Sequence, residues 1–194
     1  MIQYPKGQKQ LSRATRSQTM QTNYSSRGMG LENILNQTNE LYRLQKRAVI
    51  HKKPTPIQVV KVNYPARSAA QITEAYFRQA STTDYNGVYK GKYIDFEAKE
   101  TKNKTSFPLK NIHEHQLEHM KECSEQGGIA FVIFYFSSLK EYYLLESKMI
   151  EQFIHDSSTK RQSIPLTYIK EHGQPIELSL QMTLNYLDAV DALL

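Results

Sequence analysis

The chain of 194 residues contains a single cysteine, Cys123, so an intramolecular disulfide is excluded. One unpaired thiol is typical of proteins from a reducing compartment and predicts a cytoplasmic location. Long apolar runs are also missing, since the nearest candidate, residues 129–136, is far shorter than the ~20 residues of a membrane-spanning helix. The N-terminus lacks the apolar stretch of a signal peptide. These absences predict a soluble intracellular protein without a membrane partner.

Acidic residues are scarce in the first third of the chain. Residues 1–61 contain eleven Lys or Arg and only two acids, Glu32 and Glu40. Residues 62–194 contain fourteen Lys or Arg and seventeen Asp or Glu. The formal net charge of +6 therefore comes from the N-terminal part. This distribution favours contact with a polyanion such as nucleic acid. A merely soluble basic protein would show the same excess, so charge alone does not separate the two.

Residues 1–30 combine five basic residues with thirteen Ser, Thr, Gln or Asn, no acid and few apolar side chains. Such a segment buries too little apolar surface to offset the entropy cost of ordering, so we expect a disordered basic arm before one domain at residues 31–194. In this arm Arg13, Arg16 and Arg27 are candidates for phosphate contacts. A passive tail is the alternative, chiefly for the first twenty residues.

One segment, residues 81–100, has the pattern of a β-hairpin. Its strands comprise residues 84–89 and 92–99, with the two-residue turn Lys90-Gly91 between them. The dipeptide Asn86-Gly87 is a stronger turn signal and is the alternative. The second strand favours the later turn, because its apolar and charged residues alternate without a break.

The later turn brings four polar side chains to one face of the hairpin, with Asp84 opposite Glu97 and Thr82 opposite Lys99. Two carboxylates that face each other across a ladder repel, so the pair needs a cation. Lys99 supplies one positive charge, and a hard divalent ion such as Mg²⁺ or Mn²⁺ supplies more. A lysine beside such an ion is suited to phosphodiester hydrolysis. The alternative is an edge ribbon whose charged face is simply solvated.

Hydrophobic periodicity predicts the other elements of an α/β fold. We expect one strand that begins at residue 48 and two further strands at residues 129–136 and 141–146. We expect helices at residues 31–46, 69–80, 111–126, 148–155 and 185–194. Residues 156–183 show no clear pattern.

Residues 51–66 contain three prolines around alternating apolar side chains, which confines the segment to an edge strand or an isolated ribbon. Four basic residues lie in this segment or directly after it and are candidates for DNA contacts: Lys52, Lys53, Lys61 and Arg67. The polar loop at residues 102–106 adds Lys102 and Lys104 as candidates for the DNA backbone.

Asp84, twelve intervening residues and Glu97-Ala-Lys99 resemble the D…ExK signature of the PD-(D/E)xK nuclease superfamily, although Thr83 stands where the signature has proline. The sequence around this signature is more specific and resembles the RecU family, the Holliday-junction resolvases of Gram-positive, low-GC bacteria. The segments that carry this resemblance are residues 23–29, 51–56, 76–87 and 93–109.

The resemblance implies a restriction-endonuclease-like fold, a mixed β-sheet flanked by helices, with a protruding β-ribbon stalk at residues 52–68 that enters the centre of a junction. It implies a metal-dependent endonuclease that nicks four-way junction DNA symmetrically as a homodimer. A RecA-type recombinase and branch-migration proteins would be further partners. The implied ligands of Mg²⁺, or of Mn²⁺ as the alternative, are Thr82, Asp84, Glu97 and Gln116, with Lys99 as transition-state stabiliser.

Several alternatives stay open. Gln116 lies on an apolar helix stripe, and it either bonds a nearby backbone group or approaches the metal through its side chain or backbone carbonyl. Glu32, in the first turn of a helix, either complements the helix dipole or approaches the metal. Residues 115–119, His-Gln-Leu-Glu-His, fit a zinc-hydrolase pattern. A junction-binding or recombinase-modulating protein without catalysis is the second functional class, but it would not need an intact carboxylate pair with its lysine.

Overall fold

The computed structural model describes residues 30–66, 68–78, 82–156 and 161–194. The helices are α1 (Leu31–Leu44), α2 (Glu114–Glu125), α3 (Ser147–Asp156), α4 (Leu166–His172) and α5 (Tyr186–Asp191), and a 3-10 turn, Leu109–Asn111, precedes α2. The strands are β1 (Val49–Lys52), β2 (Ile57–Asn63), β3 (Gln71–Phe77), β4 (Tyr85–Tyr89), β5 (Lys92–Thr101), β6 (Ser106–Pro108), β7 (Ile129–Phe136), β8 (Glu141–Glu146), β9 (Ser163–Pro165) and β10 (Gln174–Ile176). None of the helices in these ranges has the length and apolar character of a membrane span.

Six strands form one mixed sheet in the order β1-β4-β5-β7-β8-β10. Neighbours are antiparallel except β5 and β7, which run parallel in the middle of the sheet. Helices α1 and α5 contribute to the core on one face, and α2, α3 and α4 contribute to the core on the other. The expected α/β fold, a mixed sheet flanked by helices, is confirmed.

Strand β7 explains the longest apolar run of the chain, because both of its faces are buried. Phe131 and Ile133 pack in the cluster that contains α1 and α5 residues, whereas Val132 and Phe134 pack with Met120 of α2. A strand between two helical layers has no solvent face and therefore needs no polar alternation. The predicted strand at residues 129–136 is confirmed, as is its hairpin partner β8.

Strand β5 differs from β7 because only one of its faces is apolar. Ile94 and Phe96 are fully buried, and the Phe96 ring stacks on Tyr85 with centroids 4.8 Å apart. The opposite face carries Asp95, Glu97 and Lys99 and faces α2, whose side chains reach these residues. The apolar residues that alternate along β5 therefore face the core, and the charged residues between them face a polar cleft under α2.

The turn between β4 and β5 is the predicted Lys90-Gly91. Both residues have positive φ, 47° and 76°, as a type I′ hairpin turn requires. The competing signal, Gly87, lies inside β4, where a Cβ atom would come within 2.1 Å of the Val49 carbonyl oxygen. Glycine is needed there because β1 approaches closely, and it does not make a turn.

The ladder between β4 and β5 ends at the pair of Tyr85 and Phe96, so the first strand is one residue shorter than predicted. Residues 82–84 bend out of the ladder. The Thr83 hydroxyl donates to the carboxylate of Asp95, which strict alternation would place on the opposite face. The expected alternation is therefore wrong for these three residues, because side-chain hydrogen bonds to a buried carboxylate replace the ladder.

Strands β2 and β3 form a separate two-stranded ribbon. Every side chain of β3 is exposed, and one of the seven in β2 is half-buried. Of the two sequence alternatives, the isolated ribbon is therefore confirmed and the edge strand is wrong. The predicted helix at residues 69–80 is also wrong, and the ribbon runs to Phe77 instead of ending near residue 68. Ile72, Thr73 and Tyr76 favour a strand, and within the described ranges β3 is the only strand that pairs with β2.

The segment without a clear sequence pattern completes the domain. Strand β9 pairs with β6, α4 covers the sheet, and β10 adds the last strand beside β8. The predicted helices near residues 148–155 and 185–194 are confirmed as α3 and α5, the second of them shorter than predicted.

Candidate active site

Glu97 is the centre of the predicted site. Its side chain is almost fully buried, with Oε1 2.9 Å from the Lys99 ammonium nitrogen. Its Oε2 accepts a hydrogen bond of 3.0 Å from the backbone N–H of Asp84. The two acids therefore meet, although not as a ladder pair: the bent segment turns the Asp84 amide toward the carboxylate. The Asp84 side chain is half-buried.

Ionisation of the Glu97 carboxyl is unfavourable at its buried position. The pKa of this carboxyl is raised from 4.5 to about 7, mainly by burial; the neighbouring Asp84 also raises it, while Lys99 lowers it. Lys99 therefore offsets only part of the cost of a buried negative charge. A carboxylate in this state gains from any additional cation that reaches it.

Gln116 joins the same set from helix α2. Its Oε1 accepts one hydrogen bond of 3.1 Å from the Lys99 ammonium and another of 3.2 Å from the backbone N–H of His113. The second bond satisfies an otherwise unpaired amide at the start of the helix. Bonding to a nearby backbone group is thus confirmed, and the same oxygen also contacts the candidate site. Sequence reasoning treated the two as alternatives.

Thr82 begins the bent segment two residues before Asp84 and is half-buried. Its hydroxyl oxygen is 3.5 Å from the Thr83 carbonyl oxygen, beyond a good hydrogen bond. The predicted ladder pairing of Thr82 with Lys99 does not form, because the ladder ends before it.

Asp84 also lines a groove that it shares with Glu32 and Glu100. The carboxylate of Glu32 pairs with the ammonium of Lys52. Both side chains of this pair are substantially exposed, which places Glu32 at the rim of the groove. Its direct approach to a metal remains a prediction.

The donor set fits a hard divalent ion. When both are ionised, Asp84 and Glu97 carry two negative charges against the one positive charge of Lys99, and Gln116 adds a neutral oxygen. Oxygen ligands of this kind suit Mg²⁺ and Mn²⁺. Burial and the neighbouring Asp84 raise the pKa of Glu97, so a further cation at this position would favour the ionised carboxylate.

A second polar cluster lies on the same face of β5 and was not predicted. Asp95 is fully buried, and its Oδ2 lies 2.7 Å from the Lys53 ammonium nitrogen and 3.3 Å from His119 Nε2. In the described part of the chain, Asp95, His119 and Cys123 offer ligand atoms within 4.8 Å of one another. The Lys53 ammonium already balances the Asp95 charge. The sequence did contain a signal for this cluster. Side chains alternate faces along a strand, so Asp95 lies on the same face of β5 as Glu97 and Lys99.

The predicted DNA contacts divide into three groups. Four lysines are exposed as such contacts require, namely Lys52, Lys61, Lys102 and Lys104. Lys53 differs from the expectation, because its side chain is 16% exposed and its ammonium bonds inward to Asp95. Arg13, Arg16, Arg27 and Arg67 lie outside the described residues.

The histidines of the zinc-hydrolase pattern contact different partners. The His115 ring stacks on that of His113 with centroids 5.4 Å apart, whereas His119 faces Asp95. The metal-ligand group found among the described residues contains His119 but neither His115 nor Glu118. The arrangement gives the zinc interpretation no support.

Comparison with known proteins covers almost the whole chain. A family model described as Recombination protein U matches residues 26–192. Proteins named Holliday junction resolvase RecU are 55% identical in Geobacillus sp. (strain WCH70), over 98% of this chain and 96% of that protein, and 54% identical in Streptococcus sanguinis, over 98% and 95%. A solved structure of the Holliday junction resolvase Hjc from Archaeoglobus fulgidus matches 72% of this chain and 93% of its own, with 12% identity and a TM-score of 0.41. The extent of the sequence matches shows that the chain belongs to the RecU family.

Proposed function

We propose that this protein is a structure-specific endonuclease that resolves Holliday junctions by paired symmetric nicks, in homologous recombination and DNA repair. Its family and the names of its relatives support this substrate. The observation that carries the chemistry is the connected set of Asp84, Glu97, Lys99 and Gln116. A protein that only bound junctions would gain nothing from a buried carboxylate with a raised pKa.

The reaction we infer is metal-dependent hydrolysis of a phosphodiester. Thr82, Asp84, Glu97 and Gln116 would hold Mg²⁺, or Mn²⁺ as the alternative. When bound, such an ion polarises phosphate oxygens and acidifies a water molecule.

The chain's own groups prepare this site before DNA arrives. The Asp84 N–H orients the Glu97 carboxylate, and Gln116 holds Lys99 beside it. The Lys99 ammonium is then positioned to stabilise negative charge that develops on the phosphate, or to orient the attacking water.

Substrate binding would use basic groups outside the cleft. The exposed lysines at positions 52, 61, 102 and 104 and the arginines at 13, 16, 27 and 67 are the proposed phosphate contacts. The exposed β2–β3 ribbon would enter the junction centre. Because a four-way junction has approximate two-fold symmetry, a homodimer supplies the two sites for paired nicks. A cytoplasmic location, together with a RecA-type recombinase and branch-migration proteins as partners, completes the proposal.

The test is nicking of a synthetic four-way junction with Mg²⁺ and then with EDTA. We expect symmetric nicks in two strands of like polarity only with the metal. Asp84→Asn and Glu97→Gln should each abolish nicking while junction binding, measured by gel shift, is retained, because binding rests on lysine and arginine contacts elsewhere.

Lys148→Met is a suitable control, because it removes an exposed lysine on α3 that pairs with Glu146. Near-normal turnover by Asp84→Asn would contradict the site. Wild-type protein that binds junctions without ever nicking them would instead favour the recombinase-modulating function. Stoichiometric zinc, lost together with activity in His115→Ala, would favour the zinc hydrolase.

A further inference from the structure

The Lys53 ammonium occupies the centre of a small internal cluster. It lies 2.7 Å from Asp95 Oδ2, 3.0 Å from Thr83 Oγ1 and 3.4 Å from His119 Nε2. An ammonium has three protons, and here it meets three acceptors, with His119 accepting in the tautomer protonated on Nδ1. This cation is built into the fold and is not available to a DNA phosphate.

The Asp95 carboxylate completes the cluster. It is fully buried and also accepts hydrogen bonds from the Thr83 hydroxyl at Oδ1 and from the Tyr93 hydroxyl, at 2.8 Å, at Oδ2. Its charge is balanced by Lys53, and its oxygens are hydrogen-bonded. Asp95, His119 and Cys123 have the proximity of metal ligands. The ammonium, however, already stands at the position from which a cation would contact the first two.

Each member of the cluster is adjacent to a group of the proposed active site. Lys53 directly follows β1, and its backbone N–H donates to the Asp84 carbonyl oxygen at 2.7 Å. Thr83 immediately precedes Asp84. Asp95 lies two residues before Glu97 on the same face of β5, and His119 lies one helical turn after Gln116.

We propose that Lys53, Asp95, Thr83 and His119 form an ammonium clamp, an internal device that positions Asp84 against Glu97 before the metal binds. Residues 82–84 lie outside the ladder, so backbone pairing with β5 does not hold them. Without the clamp, the ion would have to order this segment on binding, which lowers metal affinity. The members of the clamp are positioning residues, and their role rests on the proposed metal-dependent function.

The sharpest test compares Thr83→Val with Thr83→Ser. Valine has nearly the shape of threonine but lacks the hydroxyl, whereas serine keeps the hydroxyl that bonds Asp95 and Lys53. Native-state hydrogen exchange of the Asp84 and Lys53 amides in metal-free, DNA-free protein reports whether residues 82–84 are held. We expect exchange about tenfold faster in the valine variant and close to wild type in the serine variant. Amides of β7 should stay slow in both.

The second readout is Mn²⁺ binding, followed by the electron paramagnetic resonance signal of the free ion. We expect Thr83→Val to weaken it about tenfold and Thr83→Ser to leave it within about twofold of wild type. Should the valine variant fold poorly, the double variant Lys53→Met/Asp95→Asn removes both charges of the clamp together and is expected to change both readouts in the same direction.

Equal amide exchange in the valine and serine variants would overturn the clamp. Faster exchange with unchanged Mn²⁺ binding would overturn its positioning role, since the segment would then be held for stability alone. Wild-type protein that binds no Mn²⁺ would count against the proposed metal site instead. The two ideas can therefore fail separately.

Discussion

The buried carboxylate of Glu97 makes metal-free protein unusually sensitive to pH. The pKa of this group is raised from 4.5 to about 7, mainly by burial. Because the folded-state pKa lies above the unfolded one, folding favours the protonated acid. Glu97 therefore costs no stability below about pH 4.5. The cost grows as the pH rises through the window between the two values, and it is complete above pH 7.

The size of this cost follows from the pKa difference. A change from 4.5 to about 7 corresponds to about 3 kcal/mol of free energy of unfolding. Glu97→Gln keeps the shape and stays neutral, so it resembles the protonated acid at every pH. We expect the variant to exceed wild type in stability by about 3 kcal/mol at pH 8 and by about 1 kcal/mol at pH 5.

Urea unfolding in EDTA at pH 5 and pH 8 measures this difference. Subtracting the free energy of unfolding of wild type from that of the variant at each pH cancels the contributions of the other titrating groups. Glu100→Gln removes an exposed carboxylate near the end of the same strand and controls for the loss of one negative charge. Addition of Mg²⁺ at pH 8 should stabilise wild type and leave Glu97→Gln unchanged, because the ion compensates a charge that the variant lacks.

A stability difference that is the same at pH 5 and pH 8 would refute the reasoning, since it would show that Glu97 has an ordinary pKa in the folded state. A Glu97→Gln variant less stable than wild type at pH 8 would show that the Lys99 ion pair outweighs the burial cost.

Four further changes test other parts of the molecule. Lys99→Ala should lower single-turnover nicking at saturating Mg²⁺ by about 10² to 10³ with junction affinity unchanged, and a loss of affinity instead would make it a binding residue. Gln116→Ala should raise the Mg²⁺ concentration for half-maximal nicking, and an unchanged value would restrict its role to the helix start. Replacing residues 57–77 by a tight turn should preserve folding but abolish the preference for four-way junction over duplex in competition gel shifts; retained preference would place specificity elsewhere. Deleting residues 1–26 should flatten the salt dependence of DNA binding by about 0.9 per lost phosphate contact, and an unchanged slope would show a passive tail.

Local pattern was sufficient for much of the fold and the centre of the candidate site. The apolar run of β7 predicted a strand buried on both faces, and alternation along β5 separated Phe96 from Glu97. The Lys90-Gly91 turn brought Asp84 next to Glu97 in space. These features depend on the period of the backbone and on turn geometry, which neighbouring residues determine.

Local pattern failed where a distant partner decides the conformation. Residues 69–80 have helical composition, yet Gln71–Phe77 is a strand, because the unpaired backbone of β2 requires a partner. Residues 82–84 leave the ladder because Asp95 and Glu97 offer side-chain acceptors. Neither outcome follows from propensity alone.

By itself, the sequence determined the strand order of the hairpin, the polar face of β5 and the family to which the chain belongs. Only the tertiary structure decided that Lys53 turns inward to Asp95, that Gln116 contacts both Lys99 and the start of α2, and that burial raises the pKa of Glu97. The physical reason is that hydrogen bonds and pKa values depend on distance in space and on exclusion of water. Both arise only when β1, β5 and α2, which are far apart in the chain, pack together.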